Sequence, residues 1–175
     1  MSSLALQRPD HSFNPKQNLR SGAILNSYEN TMLELLDSLL GSQYRCFTQI
    51  SLELICHRRE NHRLSQEDWQ LLISSRVDIA IIDRTLGTDR QVKLVLECQS
   101  HFHDQLATQA RDRRKAKFLS AVGVPLIYVR YIDNDSRFYR FYSPNGSQEV
   151  VYNLVNQEGR QEVASWLRSQ IAEHQ

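Results

Sequence analysis

The sequence lacks several features that mark common functional classes. Its 3 cysteines, at positions 46, 56 and 98, are scattered and form no CxxC pair. This spacing argues against a disulfide framework and a zinc site, and it favours a reducing compartment. No apolar run approaches the length of a membrane span, and the first residues contain no apolar leader segment. We therefore expect a cytoplasmic protein that has no membrane partner.

The chain also lacks a charge excess. Lys and Arg number 21 against 20 Asp and Glu, so the formal net charge is +1, and binding to nucleic acid would need a local basic patch. The length of 175 residues fits a single domain. The polar start, rich in Ser, Asn and Gln, predicts a disordered arm over 1–22. The domain then spans 23–175, with a core at about 26–131 and a C-terminal extension at 132–175.

Two apolar runs dominate the middle of the chain, and each contains a carboxylate. Residues 77–82 carry Asp78, and residues 92–99 carry Glu97. Both runs are short and rich in β-branched residues, and a turn-rich gap at 85–89 separates them. This pattern predicts a β-hairpin.

Opposed residues in such a hairpin have a constant index sum. If Asp78 faces Glu97, then Asp83 faces Val92, at the strand end where an Asp is a favoured turn residue. Side chains alternate along a strand, so Glu97 and Gln99 share a face. Asp78, Glu97 and Gln99 are thus expected to converge on one patch.

Carboxylates are rarely buried in apolar strands without a partner. A divalent cation is one such partner, since Mg²⁺ takes oxygen ligands and is often held by one or two carboxylates. The sequence therefore predicts a site for Mg²⁺ or Mn²⁺ formed by Asp78 and Glu97.

A helix is expected over about 104–122, and a strand over 124–130 should follow it in a parallel crossover. We expect an apolar stripe on this helix that contains Leu106, Ala107, Ala110, Phe118, Leu119 and Val122. Its other faces are basic. Arg111 and Lys115 lie four residues apart, hence on one face, and with Arg114 and Lys117 they either bind nucleic acid or form a solvated surface.

The flanking elements leave two further questions open. A helix should begin at Asn26 or Ser27, where Glu29 either completes a capping box or joins the metal site. Strands are expected at 44–54, 137–142 and 150–155, and a short helix after Ser65. A final helix at about 158–173 bears an apolar stripe that either covers the core or forms a homodimer contact.

Several motifs together resemble the PD-(D/E)XK, or restriction-endonuclease-like, nuclease superfamily, and a branch of uncharacterised domains within it. They are Val77-Asp78, Glu97-Cys98-Gln99, His103, Arg111-Asp112-x-x-Lys115 and Gly123-Val124-Pro125-Leu126. The resemblance implies an α/β fold with an α-β-β-β-α-β core and a mixed central sheet. A C-terminal β-hairpin and helix would be added to this core.

The resemblance also implies a site. Asp78 and Glu97 would bind the metal, with Glu29 and His103 as accessory residues. The usual lysine is replaced by Gln99, which can still bind the metal or orient water but cannot supply a positive charge. Lys115 on the helix would take the role of the lysine, and Lys115 or Gln99 would position the attacking water. The implied activity is Mg²⁺-dependent hydrolysis of DNA, rather than RNA, by an endo- or exonuclease. The alternative is a catalytically weakened module that binds nucleic acid or a protein partner.

Overall fold

Six strands form one mixed sheet, with helices packed on both faces. The computed structural model describes residues 22–57, 63–84, 91–99, 106–132 and 135–173. The described elements are α1 (Ser27–Leu40), β1 (Tyr44–Ser51), α2 (Leu52–Ile55), α3 (Gln66–Ser74), β2 (Arg76–Asp83), β3 (Val92–Cys98), α4 (Leu106–Ala121), β4 (Leu126–Ile132), β5 (Asp135–Tyr142), β6 (Glu149–Asn153) and α5 (Gln157–Ala172).

The strands lie in the sheet in chain order, from β1 at one edge to β6 at the other. The β3–β4 pair is parallel, and α4 connects its two strands. The other four pairs are antiparallel. The expected α/β class, the mixed sheet, the parallel crossover and the C-terminal hairpin and helix are confirmed.

The β2–β3 hairpin follows the expected register over most of its length. Ile79 pairs with Leu96, and Ile81 with Leu94, which continues the index sum that sets Asp78 opposite Glu97. A bulge after Ile81 then shifts the register. Val92 consequently pairs with Ile82, so the prediction that it faces Asp83 was wrong. A bulge adds one residue to one strand, and here the added residue is Lys93 of β3.

Each face of the sheet has its own apolar core. One core packs α1 and α5 against the sheet through buried residues such as Leu36 and Leu167. The other packs α2, α3 and α4 through Leu52, Leu72 and Leu119. The apolar stripe of α5 lies in the first core, with Val163, Leu167 and Ile171 buried and Trp166 partly buried. Covering the core therefore accounts for that stripe.

Helix α4 differs from the expectation. Leu106 is 80% exposed and Val122 43% exposed, so neither belongs to a buried stripe. Lys115 and Leu119 are buried instead. They lie on one side of the helix with the half-buried Asp112, because the three occupy positions i, i+3 and i+7. The prediction failed because a polar residue can be buried when it has partners.

Capping residues and glycines in the sequence predicted most helix ends correctly. Asn26 caps α1, and Gly123, with φ of 73°, follows α4. The first strand is shorter than predicted, since residues 52–55 form a helical turn. Residues 1–21, His103 and the turn at 85–89 lie outside the described residues. No described helix is both long and apolar enough to cross a bilayer.

Candidate metal and phosphate site

The backbone pairing between β2 and β3 ends just before Asp78 and Glu97. Among the described strands, the last pair toward this end is Ile79 with Leu96. Beyond it, the backbone N–H of Cys98 donates to Oδ2 of Asp78 at 2.8 Å. A side chain of β2 thus satisfies a backbone donor of β3, and this hydrogen bond fixes the Asp78 carboxylate between the strands.

Glu97 is almost completely buried, at 3% exposure, and Lys115 of α4 contacts it directly. The Lys115 ammonium lies 2.8 Å from Oε1 of Glu97 and donates to the carbonyl of Arg76 at 2.9 Å. Burial raises the pKa of Glu97 to about 7, with a further contribution from the Asp78 charge, while Lys115 acts in the opposite direction.

The chain itself therefore compensates both carboxylates. Cys98 donates to Asp78, and Lys115 forms a buried ion pair with Glu97. Such a pair holds its two charges in place more than it adds net stability, because both lose their hydration. The burial of these carboxylates therefore does not by itself require a cation, contrary to the reason for which the sequence predicted one.

A cavity of about 510 Å³ opens onto these groups at the end of the sheet. Its charged wall residues come from α1, the hairpin and α4: Glu29, Arg76, Asp78, Glu97, Arg111, Asp112 and Lys115. A larger described cavity, of about 790 Å³, lies against Phe47, Leu54 and Val122 and has no acidic residue in its wall. We assign the site to the smaller cavity because it contains the groups that can do chemistry.

Glu29 completes the capping box of α1 and also lines the cavity. Its backbone N–H donates to Oδ1 of Asn26 at 2.9 Å, and its Oε2 accepts from the Asn26 backbone N–H at 3.0 Å. The capping box is thus confirmed. Glu29 also lines the cavity of Asp78 and Glu97, and its role at a metal remains a prediction.

Gln99 lies beside the cavity and has partners at both ends of its amide. Its Oε1 accepts from the Tyr142 hydroxyl at 2.8 Å, and its Nε2 donates to Oδ2 of Asp112 at 3.4 Å. These contacts join β3 to β5 and α4. They support a positioning role better than the expected contact with metal or water.

The basic residues of α4 separate into different environments. Arg111 lines the cavity and donates to the Ser75 hydroxyl at 3.3 Å. Arg114 instead forms a 2.8 Å ion pair with Asp68. Lys117 lines another cavity, whose wall also includes Asn145. Of the three residues expected to bind nucleic acid, Arg111 alone is in the wall of the described site.

The cavity wall also contains residues that the sequence analysis did not assign to the site, among them Tyr28, Arg76, Asp112 and Tyr131. Asp112 could have been recognised because it precedes Lys115 by three residues and so shares its helix face. The tyrosines had no such signal, since they come from α1 and β4, far apart in the chain.

The donors at the site suit a hard cation. Asp78 and Glu97 offer carboxylate oxygens, the ligand type that Mg²⁺ and Mn²⁺ prefer. The described residues contain no cluster of three or more His, Cys, Asp or Glu that could hold a metal. The two carboxylates would therefore hold the ion together with water, as is usual for Mg²⁺.

Comparison with known proteins places the chain in a family without assigning it an activity. Residues 21–138 match the model of a family described as protein of unknown function (DUF2726). This span runs from before α1 into β5, so it includes every wall residue named above. No curated protein and no solved structure shows significant similarity. The matched span exceeds half of the chain, and the protein therefore belongs to the DUF2726 family.

Proposed function

We propose that this protein is a metal-dependent nuclease that hydrolyses phosphodiester bonds of DNA. One observation carries the proposal. Asp78 and Glu97, on neighbouring strands, face one cavity in which Lys115 contacts Glu97 at 2.8 Å. Two carboxylates and an ammonium that line one open cavity are groups that this hydrolysis needs.

Each side chain has a task in this reaction. Asp78 and Glu97 would hold Mg²⁺ or Mn²⁺, which lowers the pKa of a bound water and neutralises the phosphate. The Cys98 N–H keeps Asp78 oriented. An ammonium has three donors, and the described contacts of Lys115 use two of them, on Glu97 and Arg76. The third can hold the attacking water or a phosphate oxygen, and Arg111 can bind the neighbouring phosphate.

The proposal also covers the cellular compartment, the oligomeric state and the type of nucleic acid. Cys46, Cys56 and Cys98 are all free thiols, which fits a reducing, cytoplasmic environment. A homodimer would allow two such sites to cut both strands of a duplex. DNA is proposed ahead of RNA on the resemblance described above.

A cleavage assay with a matched pair of variants tests the proposal. We expect the wild-type chain to cleave DNA with Mg²⁺ and to lose this activity in EDTA. Asp78→Asn should lower the rate by about two to three orders of magnitude, the usual cost of one essential polar group. Asp83→Asn, on the same strand but outside the cavity wall, should retain the rate. Equal rates for the two variants would contradict the assignment.

A second candidate is a nuclease-like module that binds DNA without cutting it. The Lys115–Glu97 ion pair favours it, because this pair compensates the buried carboxylate without a metal. Gln99 favours it too, since it stands where the resembled family has lysine. DNA binding that weakens steeply with salt, with no cleavage under any metal, would support the module and reject the nuclease.

A further inference from the structure

Gln49 has a left-handed backbone conformation in the middle of the edge strand β1. Its φ is 55°, and among the described residues it is the one non-glycine residue with a positive φ. Glutamine seldom adopts this conformation, because its Cβ then crowds the backbone. A residue of this kind persists where the surrounding structure requires it, and such residues are concentrated at functional sites.

Gln49 stands directly opposite Asp78. Strands β1 and β2 pair without a change of register, and Thr48 pairs with Ile79 immediately before this position. The ladder then skips Gln49 and Asp78 and resumes one residue further along each strand. The left-handed residue of the edge strand is therefore the neighbour of a candidate metal ligand.

Both strands turn over at this position, so their side chains stop alternating regularly between the two faces of the sheet. On β2, Ile79 lies in the core on the α1 and α5 side, whereas Val77, two residues away, lies in the opposite core. On β1, Cys46 packs against the first core and Ile50 against the second. Regular alternation would place each of these two pairs on a single face. Because β1 and β2 stay paired on either side, a rotation of one strand requires a rotation of the other.

This turnover accounts for the position of the Asp78 carboxylate. In an uninterrupted ladder, Cys98 would pair with Val77, two residues beyond the pair of Ile79 and Leu96. The described ladder lacks that pair, and the Cys98 N–H donates to Oδ2 of Asp78 at 2.8 Å. The Asp78 side chain thus reaches across to the backbone of β3, where a regular strand would direct it away from the sheet.

We propose that Gln49 is a positioning residue for Asp78. Its left-handed backbone makes β1 and β2 turn over together, and this aims the Asp78 carboxylate at the end of β3, beside Glu97. The backbone of Gln49 has this role, so a residue that accepts a positive φ can replace it and a β-branched residue cannot. The effect on catalysis rests on the proposed nuclease function, whereas the effect on the Cys98 hydrogen bond does not.

NMR of full-length variants tests the effect on that hydrogen bond. The Cys98 amide proton of the wild type should be protected from exchange by the Asp78 carboxylate. Gln49→Gly should keep this protection, because glycine adopts a positive φ without strain. Gln49→Val should raise the Cys98 exchange rate about tenfold, as expected when a charge-assisted hydrogen bond is lost. Thr48→Val places the same side chain at the neighbouring position, where φ is not positive, and should keep the wild-type rate.

Cleavage rates per folded molecule test the effect on the proposed reaction. Gln49→Gly and Thr48→Val should retain the wild-type rate with Mg²⁺. Gln49→Val should lower it about a hundredfold, the scale of loss when a catalytic group moves by an ångström. Gln49→Thr, which has the same branching and a polar end, replaces the valine variant with the same expected results if the latter does not fold.

The outcomes separate this role from the nuclease proposal. A folded β-branched variant with the wild-type Cys98 exchange rate overturns the positioning role, and so does a glycine variant that loses the protection. If the exchange rates follow the expectation but the wild type cleaves no DNA, the nuclease proposal falls and the positioning of Asp78 stands. If the β-branched variant cleaves as fast as the wild type, Gln49 has no role in the reaction and the nuclease proposal stands.

Discussion

Different interactions hold the two ends of the β2–β3 hairpin. We call the part of the hairpin toward the turn the closed end, and the part that carries Asp78 and Glu97 the open end. At the closed end, Ile79 and Ile81 pair with Leu96 and Leu94, and all four side chains are fully buried. At the open end, the Asp78 carboxylate takes the place of a backbone acceptor, and contacts from another element hold the strand ends.

This difference shows how one hairpin can supply both rigidity and chemistry. The apolar ladder fixes the direction of both strands within a residue or two of the carboxylates. Asp78 and Glu97 are therefore held by the backbone before any ligand arrives, which is the condition for a preorganised site. Substitutions at the two ends should accordingly separate stability from activity.

The largest expected effect is at the open end, from Lys115→Met. This change leaves the buried Glu97 without its cation and should lower the free energy of unfolding by about 4 kcal/mol at pH 8. Denaturant unfolding measures the loss. It should be smaller at pH 5, where Glu97 is protonated, given its pKa of about 7.

The matched control for Lys115→Met is the double variant Lys115→Met with Glu97→Met, which removes both charges. It should recover most of the stability, because an apolar pair needs no charge compensation. A double variant no more stable than Lys115→Met would mean that the ion pair is not the reason for the loss.

At the closed end, Leu94→Ala should cost about 3 kcal/mol of stability, the usual loss for a fully buried leucine. Cleavage per folded molecule should remain, because Leu94 faces the core on the α1 and α5 side of the sheet. Rates corrected for the folded fraction check this. A rate that fell with the substitution while the chain stayed folded would remove the distinction between the two ends.

The sequence predicted the pairing of the two strands better than the contacts that the open end makes with α4. Alternating apolar residues and the constant index sum were enough to set Asp78 opposite Glu97. The bulge was not predicted, because the extra residue is Lys93 of β3 and nothing in the apolar pattern marks it. The buried face of α4 was missed because Lys115 is buried through partners on β2 and β3, and no periodicity within the helix reports such partners.

A smaller effect is expected at Gln99, which lies just past the open end. Gln99→Leu removes the hydrogen bonds to Tyr142 and Asp112 and should cost about 1 kcal/mol of stability. If Gln99 only positions β3 against its neighbours, the cleavage rate should fall less than tenfold. A loss as large as that of Asp78→Asn would instead place Gln99 at the reacting water.

The smallest effect concerns pH. Since the pKa of Glu97 is raised to about 7, the folded state holds more protons than the unfolded state between about pH 4.5 and 7. The stability that Glu97 contributes to the metal-free protein is therefore present at low pH and lost as pH rises through 7. A cation needs the ionised form, so Mg²⁺ should raise the Tm more at pH 8 than at pH 6.

Calorimetry of the wild type and of Glu97→Gln checks this pH dependence. In Glu97→Gln the Mg²⁺-induced shift in Tm should be small and should differ little between the two pH values. A wild-type shift that is equal at pH 6 and pH 8 would show that Glu97 does not compete with protons for the ion.

The most direct test of the central claim is a crystal structure of the protein soaked in Mn²⁺, read by its anomalous difference density. The account predicts one strong peak shared by the carboxylate oxygens of Asp78 and Glu97. Crystals that bind Mn²⁺ elsewhere, or not at all, while Asp78 stays with the Cys98 N–H and Glu97 with Lys115, would contradict it.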